Sequence, residues 1–150
     1  MLADREAKTR GFDSVLWLDA RERRFIEECG VMNVFFVLDD VVVTPPLSGT
    51  ILPGITRDSV MTVLGDAGVR VVERTLTIDE VLDAGDRGTL VEAFGSGTAA
   101  TVVSIASITH GSRTVKCPPG ANAVSTRALE HLRRIRFGRE PDAHGWLMCI

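Results

Sequence analysis

The chain has 150 residues, a hydrophobic fraction of 45% and a formal net charge of −3. We expect a single domain over residues 1–150, because a chain of this length can bury roughly 68–70% of its unfolded surface. Acidic and basic residues are interspersed, which argues against a nucleic-acid surface. No apolar run approaches the roughly 20 residues of a membrane span, and the charged N-terminus lacks the apolar core of a signal peptide. We therefore expect no membrane association.

The cysteine and histidine content favours reduced thiols and no bound metal. The three cysteines are odd in number and have no CxxC spacing: Cys29, Cys117 and Cys149. That count is typical of a cytoplasmic protein rather than of a disulfide framework. No pair among the three histidines has the spacing of metal ligands, so we predict no metal site.

The first half of the chain is predicted to begin with a helix and to continue as short strands. Residues 1–10 have helical apolar spacing, and Gly11 is expected to end that helix. The predicted strands are Ser14–Leu18, Arg24–Glu27, Asn33–Leu38 and Val41–Thr44. Asp39 and Asp40 fit a hairpin turn between the last two strands. Pro45–Gly54 is rich in proline and glycine and is predicted to be a loop.

The second half is predicted to mix helices and strands. The predicted helices are Thr56–Ala67, a capping-box helix from Thr77 to about Ala84, and a helix from Ser125 to Gly138. The predicted strands are Val69–Thr75, Leu90–Phe94 and Arg113–Cys117. Residues 100–108 read as a buried run, either strand or helix, and the tail over residues 143–150 is expected to dock as an edge segment. This mixture indicates an α/β or α+β fold with a largely mixed sheet.

Thr56 lies at the predicted start of a helix, shortly after Pro53 and Gly54. A helix start presents unpaired N–H groups and a partial positive charge, so an anion is stabilised there. The alternative is that Thr56 only caps its own helix, as threonine commonly does.

Residues 95–100, with the sequence Gly-Ser-Gly-Thr-Ala-Ala, form a second candidate anion cradle. Two glycines allow successive N–H groups to converge into a nest for phosphate oxygens. The segment is not a P-loop, because the GxxxxGK[ST] spacing is absent. The alternative is a tight turn between two buried segments.

Glu28 lies at the end of a short apolar strand, directly after the predicted bound Glu27 and close to Gly30. A carboxylate in such a strand needs a partner. One interpretation is a hydrogen bond to a ring nitrogen, which would keep a pyridine protonated as an electron sink. The alternative is an ion pair with a nearby arginine: Arg21, Arg23 or Arg24.

Taken in order, these segments resemble one family. The motifs are GFDSVLWLD, RRFIEECGVMNVFFV, TPPLSGTILPGITRDSV, VVERTLTIDEV, LVEAFGSGTAA and HGW. They are similar to the C-terminal part of branched-chain amino-acid aminotransferases, which are fold-type IV (class IV) enzymes dependent on pyridoxal 5′-phosphate. The resemblance runs from about Leu2 to Trp146. It implies the fold of that C-terminal domain, a mixed twisted sheet or pseudo-barrel with flanking helices.

The resemblance also implies roles for individual residues. Glu28 matches the acid that contacts the pyridine nitrogen. Ile55 and Thr56 match the phosphate contacts at a helix start, and Thr98 matches the second phosphate contact. Two more positions match the backbone amides that receive the substrate carboxylate: Val31 and Ala99. The implied ligands are pyridoxal 5′-phosphate, non-covalently bound, and a small-molecule amino acid or keto acid.

The chain departs from the family pattern at several places. Val31 replaces a commonly smaller or hydroxylated residue, and Ser104 stands where proline is usual. The family's Schiff-base lysine lies in a K-x-G-G-N-Y motif just upstream of the position that matches Met1, and the N-terminal domain precedes that motif. Neither lysine of this sequence, Lys8 or Lys116, matches it. Because transamination needs a lysine to shuttle a proton, we do not expect this chain to transaminate by itself.

Three functional interpretations follow. The first is a cofactor-binding part of an aminotransferase that needs a missing N-terminal partner domain bearing the lysine. The second is a repurposed, lysine-free enzyme of a biosynthetic pathway that works without pyridoxal 5′-phosphate and uses Glu28, Cys29 or Thr98 to bind another small molecule. The third is a non-catalytic, oligomeric binding module, because apolar surface left without its domain partner typically seeks another.

Overall fold

A computed structural model describes residues 2–118, 120 and 123–148. In that part of the chain it has four helices and nine strands. The helices are α1 (Leu2–Thr9), α2 (Ile55–Asp66), α3 (Ile78–Arg87) and α4 (Val124–Arg136). The strands are β1 (Leu16–Leu18), β2 (Ile26–Cys29), β3 (Met32–Leu38), β4 (Val41–Thr44), β5 (Arg70–Glu73), β6 (Leu90–Gly97), β7 (Thr101–Ile105), β8 (Ser107–His110) and β9 (Arg113–Lys116).

The first seven strands form one mixed sheet centred on β3. β6 pairs with β3 from Asn33 to Leu38, while β2 and β4 pair with the start and the end of β3. β4 and β5 are parallel, and the other pairs are antiparallel. β8 and β9 form a separate hairpin. The predicted α/β architecture with a mixed sheet and flanking helices is confirmed.

Two apolar cores lie on opposite faces of the sheet, because successive side chains of a strand alternate between its faces. On one face, the rings of Phe35 and Phe94 stack with their centroids 4.9 Å apart, beneath α2 and α4. On the other face, Val34 and Phe36 pack with residues of α3 and of the β8–β9 hairpin. Burial on both faces explains why β3 reads as a continuous apolar run rather than an alternating one.

The capping residues of α3 lie where the sequence predicts a helix start. Thr77 Oγ1 accepts a hydrogen bond from Glu80 N at 3.1 Å, which is the predicted capping interaction of α3. The helix runs past the predicted Ala84 to Arg87, and Gly88 ends it with φ +75°. The hairpin turn at Asp39 and Asp40 is also present.

Two local predictions were wrong. The N-cap of α2 is Gly54, and Thr56 is the second helical residue, so Thr56 is not the cap. Residues 95–97 do not form a turn but continue β6, and the turn falls on residues 98–100. The stretch pairs with β3 on one edge and with β7 on the other. Those cross-strand hydrogen bonds outweigh the local turn preference of two glycines.

The predictions for residues 100–108 and for the tail also need correction. Residues 101–105 and 107–110 are strands, but most of these residues are partly or fully exposed. Among the described strands, β7 pairs only with β6, and β8 pairs only with β9. Residues 143–148 contain no strand, and Cys149 and Ile150 lie outside the described residues. Across the described ranges, every helix is too short or too polar to cross a membrane.

Candidate functional site

The candidate site residues meet at the beginning of β3. Asn33 pairs with Glu28 of β2 on one side and with Ser96 of β6 on the other. β3 and β6 are antiparallel, so the start of β3 and the end of β6 lie side by side at the same end of these strands. The turn before β3, which contains Val31, and the turn after β6, which contains Thr98, are therefore neighbours.

Glu28 is half-buried and holds the loop that precedes α2. Its Oε1 accepts a hydrogen bond from Leu52 N at 3.0 Å and one from Asn33 Nδ2 at 3.3 Å. Asn33 Nδ2 also donates to the Leu52 carbonyl oxygen at 2.9 Å. Within the described residues, no arginine lies within ion-pair distance of Glu28, so the predicted alternative pairing is wrong.

The same loop is tied down at other points. Thr50 Oγ1 donates to Glu27 Oε1 at 2.6 Å. The buried Arg57 donates from Nη2 to the Pro45 carbonyl oxygen at 3.0 Å and forms an ion pair with Glu73. These contacts hold the loop at its start and in its middle, which fixes where α2 begins.

The start of α2 has no capping side chain. Gly54 caps it without a side-chain hydrogen bond, and the first intrahelical bond runs from Asp58 N to the Gly54 carbonyl oxygen at 3.0 Å. The N–H groups of Ile55, Thr56 and Arg57 precede that bond and have no intrahelical partner. Together with the helix dipole, they favour a bound anion.

The turn between β6 and β7 provides a second set of exposed groups, next to the turn that contains Val31. Thr98 and Ala99 are both exposed in this turn. Thr101, which ends it, has φ +61°, a conformation that β-branched residues rarely adopt. A Cβ built on Gly97 would lie 3.8 Å from the carbonyl oxygen of Val31, which shows how closely the two turns approach.

Comparison with known proteins identifies the family. Residues 1–108 match the model of amino-transferase class IV, which is more than half of the chain. The chain belongs to the class IV aminotransferase family.

Relatives in this family cover almost all of the chain. A branched-chain-amino-acid aminotransferase of Mycobacterium tuberculosis is 45% identical over 98% of this chain and 41% of its own length. The branched-chain aminotransferase from Thermoproteus uzoniensis, solved with norvaline, is 33% identical, with a TM-score of 0.78 over 98% of this chain and 45% of its own. An aminotransferase from Brucella abortus, bound to the co-factor PLP, is 34% identical, with a TM-score of 0.71 over 87% of this chain and 42% of its own. The chain spans about two fifths of the length of the curated relatives that it matches.

Neither lysine of this class IV chain lies at the candidate site. Lys8 Nζ, in α1, forms an ion pair with Asp4 at 3.1 Å. Lys116 is exposed on β9, in the hairpin that packs against α3.

Cys29 does not belong to the site, which corrects its inclusion among the predicted ligand-binding residues. It pairs with Met32, so the two side chains lie on the face opposite to Glu28 and Asn33. Burial raises the pKa of the Cys29 thiol, so it stays protonated and weakly nucleophilic. Cys29 and Met32 instead border a cavity of about 1000 Å³ between α1 and the strands β7 and β8.

Two buried polar residues of the candidate site, Asn33 and Ser96, were not predicted from the sequence. The sequence places Asn33 only at the start of a predicted strand, yet it contacts Glu28, Leu52 and Gly54. Ser96 was regarded as part of a turn, yet it is 1% exposed within β6 and its Oγ has no hydrogen-bond partner among the described residues. A polar residue in an apolar strand was the available signal for Asn33.

Proposed function

We propose that this chain is the part of a branched-chain aminotransferase that binds the ring and the phosphate of pyridoxal 5′-phosphate. The observation that carries the proposal is that Asn33 contacts both the Glu28 carboxylate and Gly54, at the start of α2, where no side chain caps the helix. The carboxylate would pair with the protonated ring nitrogen of that cofactor, and the free N–H groups at the start of α2 would bind its phosphate. We also propose that residues 1–150 act as a single domain.

The residues at the site fit this cofactor. Glu28 Oε1 is engaged by the loop, which leaves Oε2 as the acceptor for a protonated ring nitrogen. The free N–H groups of Ile55 and Thr56 and the exposed turn at Thr98 would hold the phosphate. When bound, the protonated ring acts as an electron sink for bond changes at the carbon next to an amino group. The task of these side chains is to bind and orient it.

The proposed substrate is a hydrophobic amino acid or the matching keto acid. The backbone amides of Val31 and Ala99 would receive its carboxylate. Three aliphatic side chains, in the turn before β3, in the loop and at the start of α2, are strongly exposed: Val31 at 88%, Leu52 at 67% and Ile55 at 86%. Such a rim suits an aliphatic side chain, and relatives of this chain were solved with norvaline and with 4-methylvaleric acid.

The exposure of Val31, Leu52 and Ile55 also indicates that a partner covers the site. A group of large exposed aliphatic side chains is typical of a surface that another domain or subunit buries. We propose that a second polypeptide segment, such as an N-terminal domain, closes the site and supplies the lysine that carries the proton. Another copy of the chain would add to the cover but would bring no lysine other than Lys8 and Lys116. Without the lysine-bearing segment, the chain would bind the cofactor and turn over poorly.

The test is an absorbance titration of the chain with pyridoxal 5′-phosphate, followed by borohydride reduction and mass spectrometry. We expect saturable binding that Thr98→Ala and Glu28→Gln both weaken, with neither Lys8 nor Lys116 modified. Controls at the β8–β9 hairpin, such as Thr114→Ala, should bind as the wild type does. The proposal would be refuted if the wild type showed no saturable binding, or if mass spectrometry found a reduced cofactor adduct on Lys8 or Lys116.

A further inference from the structure

Asn33 is the residue through which the two parts of the candidate site touch. It is 5% exposed, and its amide donates both to Glu28 Oε1 at 3.3 Å and to the Leu52 carbonyl oxygen at 2.9 Å. Its Oδ1 lies so close to Gly54 that a Cβ on that glycine would overlap it. One buried side chain therefore contacts the carboxylate, the loop and the cap of α2.

The two oxygens of Glu28 have different tasks. Both donors, Leu52 N and Asn33 Nδ2, approach Oε1. Among the described residues, no donor reaches Oε2. One oxygen of Glu28 therefore holds the loop that leads into α2, and the other is left for a ligand.

We infer that Asn33 is a positioning residue that couples the carboxylate side of the site to the anion cradle of α2. Its amide fixes the orientation of Glu28, and Glu28 Oε1 in turn fixes Leu52, two residues before the cap Gly54. A change at Glu28 or Asn33 should therefore alter anion binding at α2, although neither side chain belongs to that cradle. The identity of the ligand rests on the proposed function, whereas the coupling rests on these contacts alone.

Three probes separate the two halves of the site: pyridoxal 5′-phosphate, pyridoxal, which lacks the phosphate, and inorganic phosphate, which lacks the ring. Trp17 is a suitable fluorescent reporter, because it lies opposite Glu28 in the β1–β2 pair and its indole N–H donates to the Gly30 carbonyl oxygen at 2.8 Å. Trp146→Phe provides the background, since it leaves Trp17 as the one tryptophan.

Glu28→Gln and Glu28→Ala form the decisive pair. Glutamine keeps a carbonyl oxygen for Leu52 N, and alanine removes it. We expect Glu28→Gln to weaken pyridoxal and to leave inorganic phosphate unchanged. Glu28→Ala and Asn33→Ala should weaken inorganic phosphate about fivefold, the scale of one lost hydrogen bond. Inorganic phosphate affinities equal to the wild type in both alanine variants would overturn the coupling.

Amide hydrogen exchange of the ligand-free chain tests the coupling without any cofactor. We expect the Leu52 amide to exchange about tenfold faster in Glu28→Ala and Asn33→Ala, because its acceptor is lost or released. Thr89→Ala is the matched control, since it removes a half-buried hydroxyl that donates to the Ala84 carbonyl oxygen of α3 at 3.3 Å, away from the loop. Asn33→Ser replaces Asn33→Ala, with the same expectation, if the alanine variant does not fold.

The outcomes separate the two proposals. In one outcome, the wild type binds pyridoxal 5′-phosphate, but the Asn33 variant has the same Leu52 exchange rate and phosphate affinity as the wild type. That outcome would overturn the coupling and leave the proposed function standing. A wild type that binds none of the three probes would refute the proposed function, and faster Leu52 exchange in the Asn33 variant would still support the coupling.

Discussion

The carboxylate of Glu92, in the middle of β6, accepts a hydrogen bond from Val124 N at 2.8 Å and so caps α4 from the sheet. It also accepts hydrogen bonds from Ser125 N at 3.2 Å and from the Ser125 hydroxyl. Glu92 is 2% exposed, and α4 has no capping side chain of its own at Ala123. A buried negative charge at a helix N-terminus is stabilised by the helix dipole and by these donors.

Glu92→Gln should destabilise the chain by about 1–3 kcal/mol, because it removes the charge and places an NH₂ group where only acceptors are needed. Urea unfolding would show this as a lower midpoint at an unchanged slope. Ser125→Ala, which removes one donor and leaves the carboxylate, should cost less than Glu92→Gln. Equal stability of Glu92→Gln and the wild type would contradict this account of α4.

Gly54→Ala should weaken phosphate and pyridoxal 5′-phosphate binding by severalfold. The new Cβ would overlap Asn33 Oδ1, while the backbone at Gly54, with φ −70° and ψ 127°, accepts alanine without strain. The effect therefore reports the close approach of α2 to β3. Equilibrium titration with inorganic phosphate measures it.

Gly65→Ala, in the same helix, is the matched control for Gly54→Ala. A Cβ at Gly65 would meet no atom within 4 Å. We expect that variant to bind normally and to be more stable by roughly 0.5–1 kcal/mol, since alanine is the better helix former. If Gly65→Ala also weakened phosphate binding, the effect of Gly54→Ala could not be assigned to the overlap with Asn33 Oδ1.

The sequence predicted features that depend on neighbours in the chain and missed those that depend on neighbours in space. The capping box at Thr77 was confirmed because its two partners are three residues apart. The turn at Gly95 was misplaced because β3 and β7 pair with that stretch from both sides. Glu28 was identified as a residue in need of a partner, but its partner Leu52 lies 24 residues away, and no local pattern shows that.

Thr101→Asn should stabilise the chain by about 0.5–1 kcal/mol, because asparagine tolerates the left-handed backbone that costs a β-branched residue more. Thr101 has φ +61° at the end of the turn that contains Thr98 and Ala99. Thermal unfolding measures the gain. Thr114→Asn, at an exposed strand position of β9, should bring no gain, and an equal gain there would exclude relief of strain as the cause.

The carboxylate of Asp19 should remain ionised to unusually low pH. It accepts hydrogen bonds from Arg24 N at 2.9 Å, Glu22 N at 2.6 Å and Phe25 N at 2.8 Å, which lower its pKa to about 2. A carboxyl group with a lowered pKa in the folded state contributes stability above its unfolded pKa of roughly 3.9. That contribution is lost as the pH falls from about 4 towards 2. Carboxyl-carbon NMR of Asp19 should show a midpoint near pH 2.

Asp19→Asn tests the same point through stability. Asparagine keeps one acceptor oxygen but does not titrate, so the variant should be less stable than the wild type at pH 7, and the difference should shrink between pH 4 and pH 2. Asp13→Asn, at an exposed position for which no such hydrogen bonds are present among the described residues, is the control for the loss of one surface carboxylate. A stability difference that stayed constant from pH 7 to pH 2 would show that the turn, and not the ionised carboxylate, determines the effect.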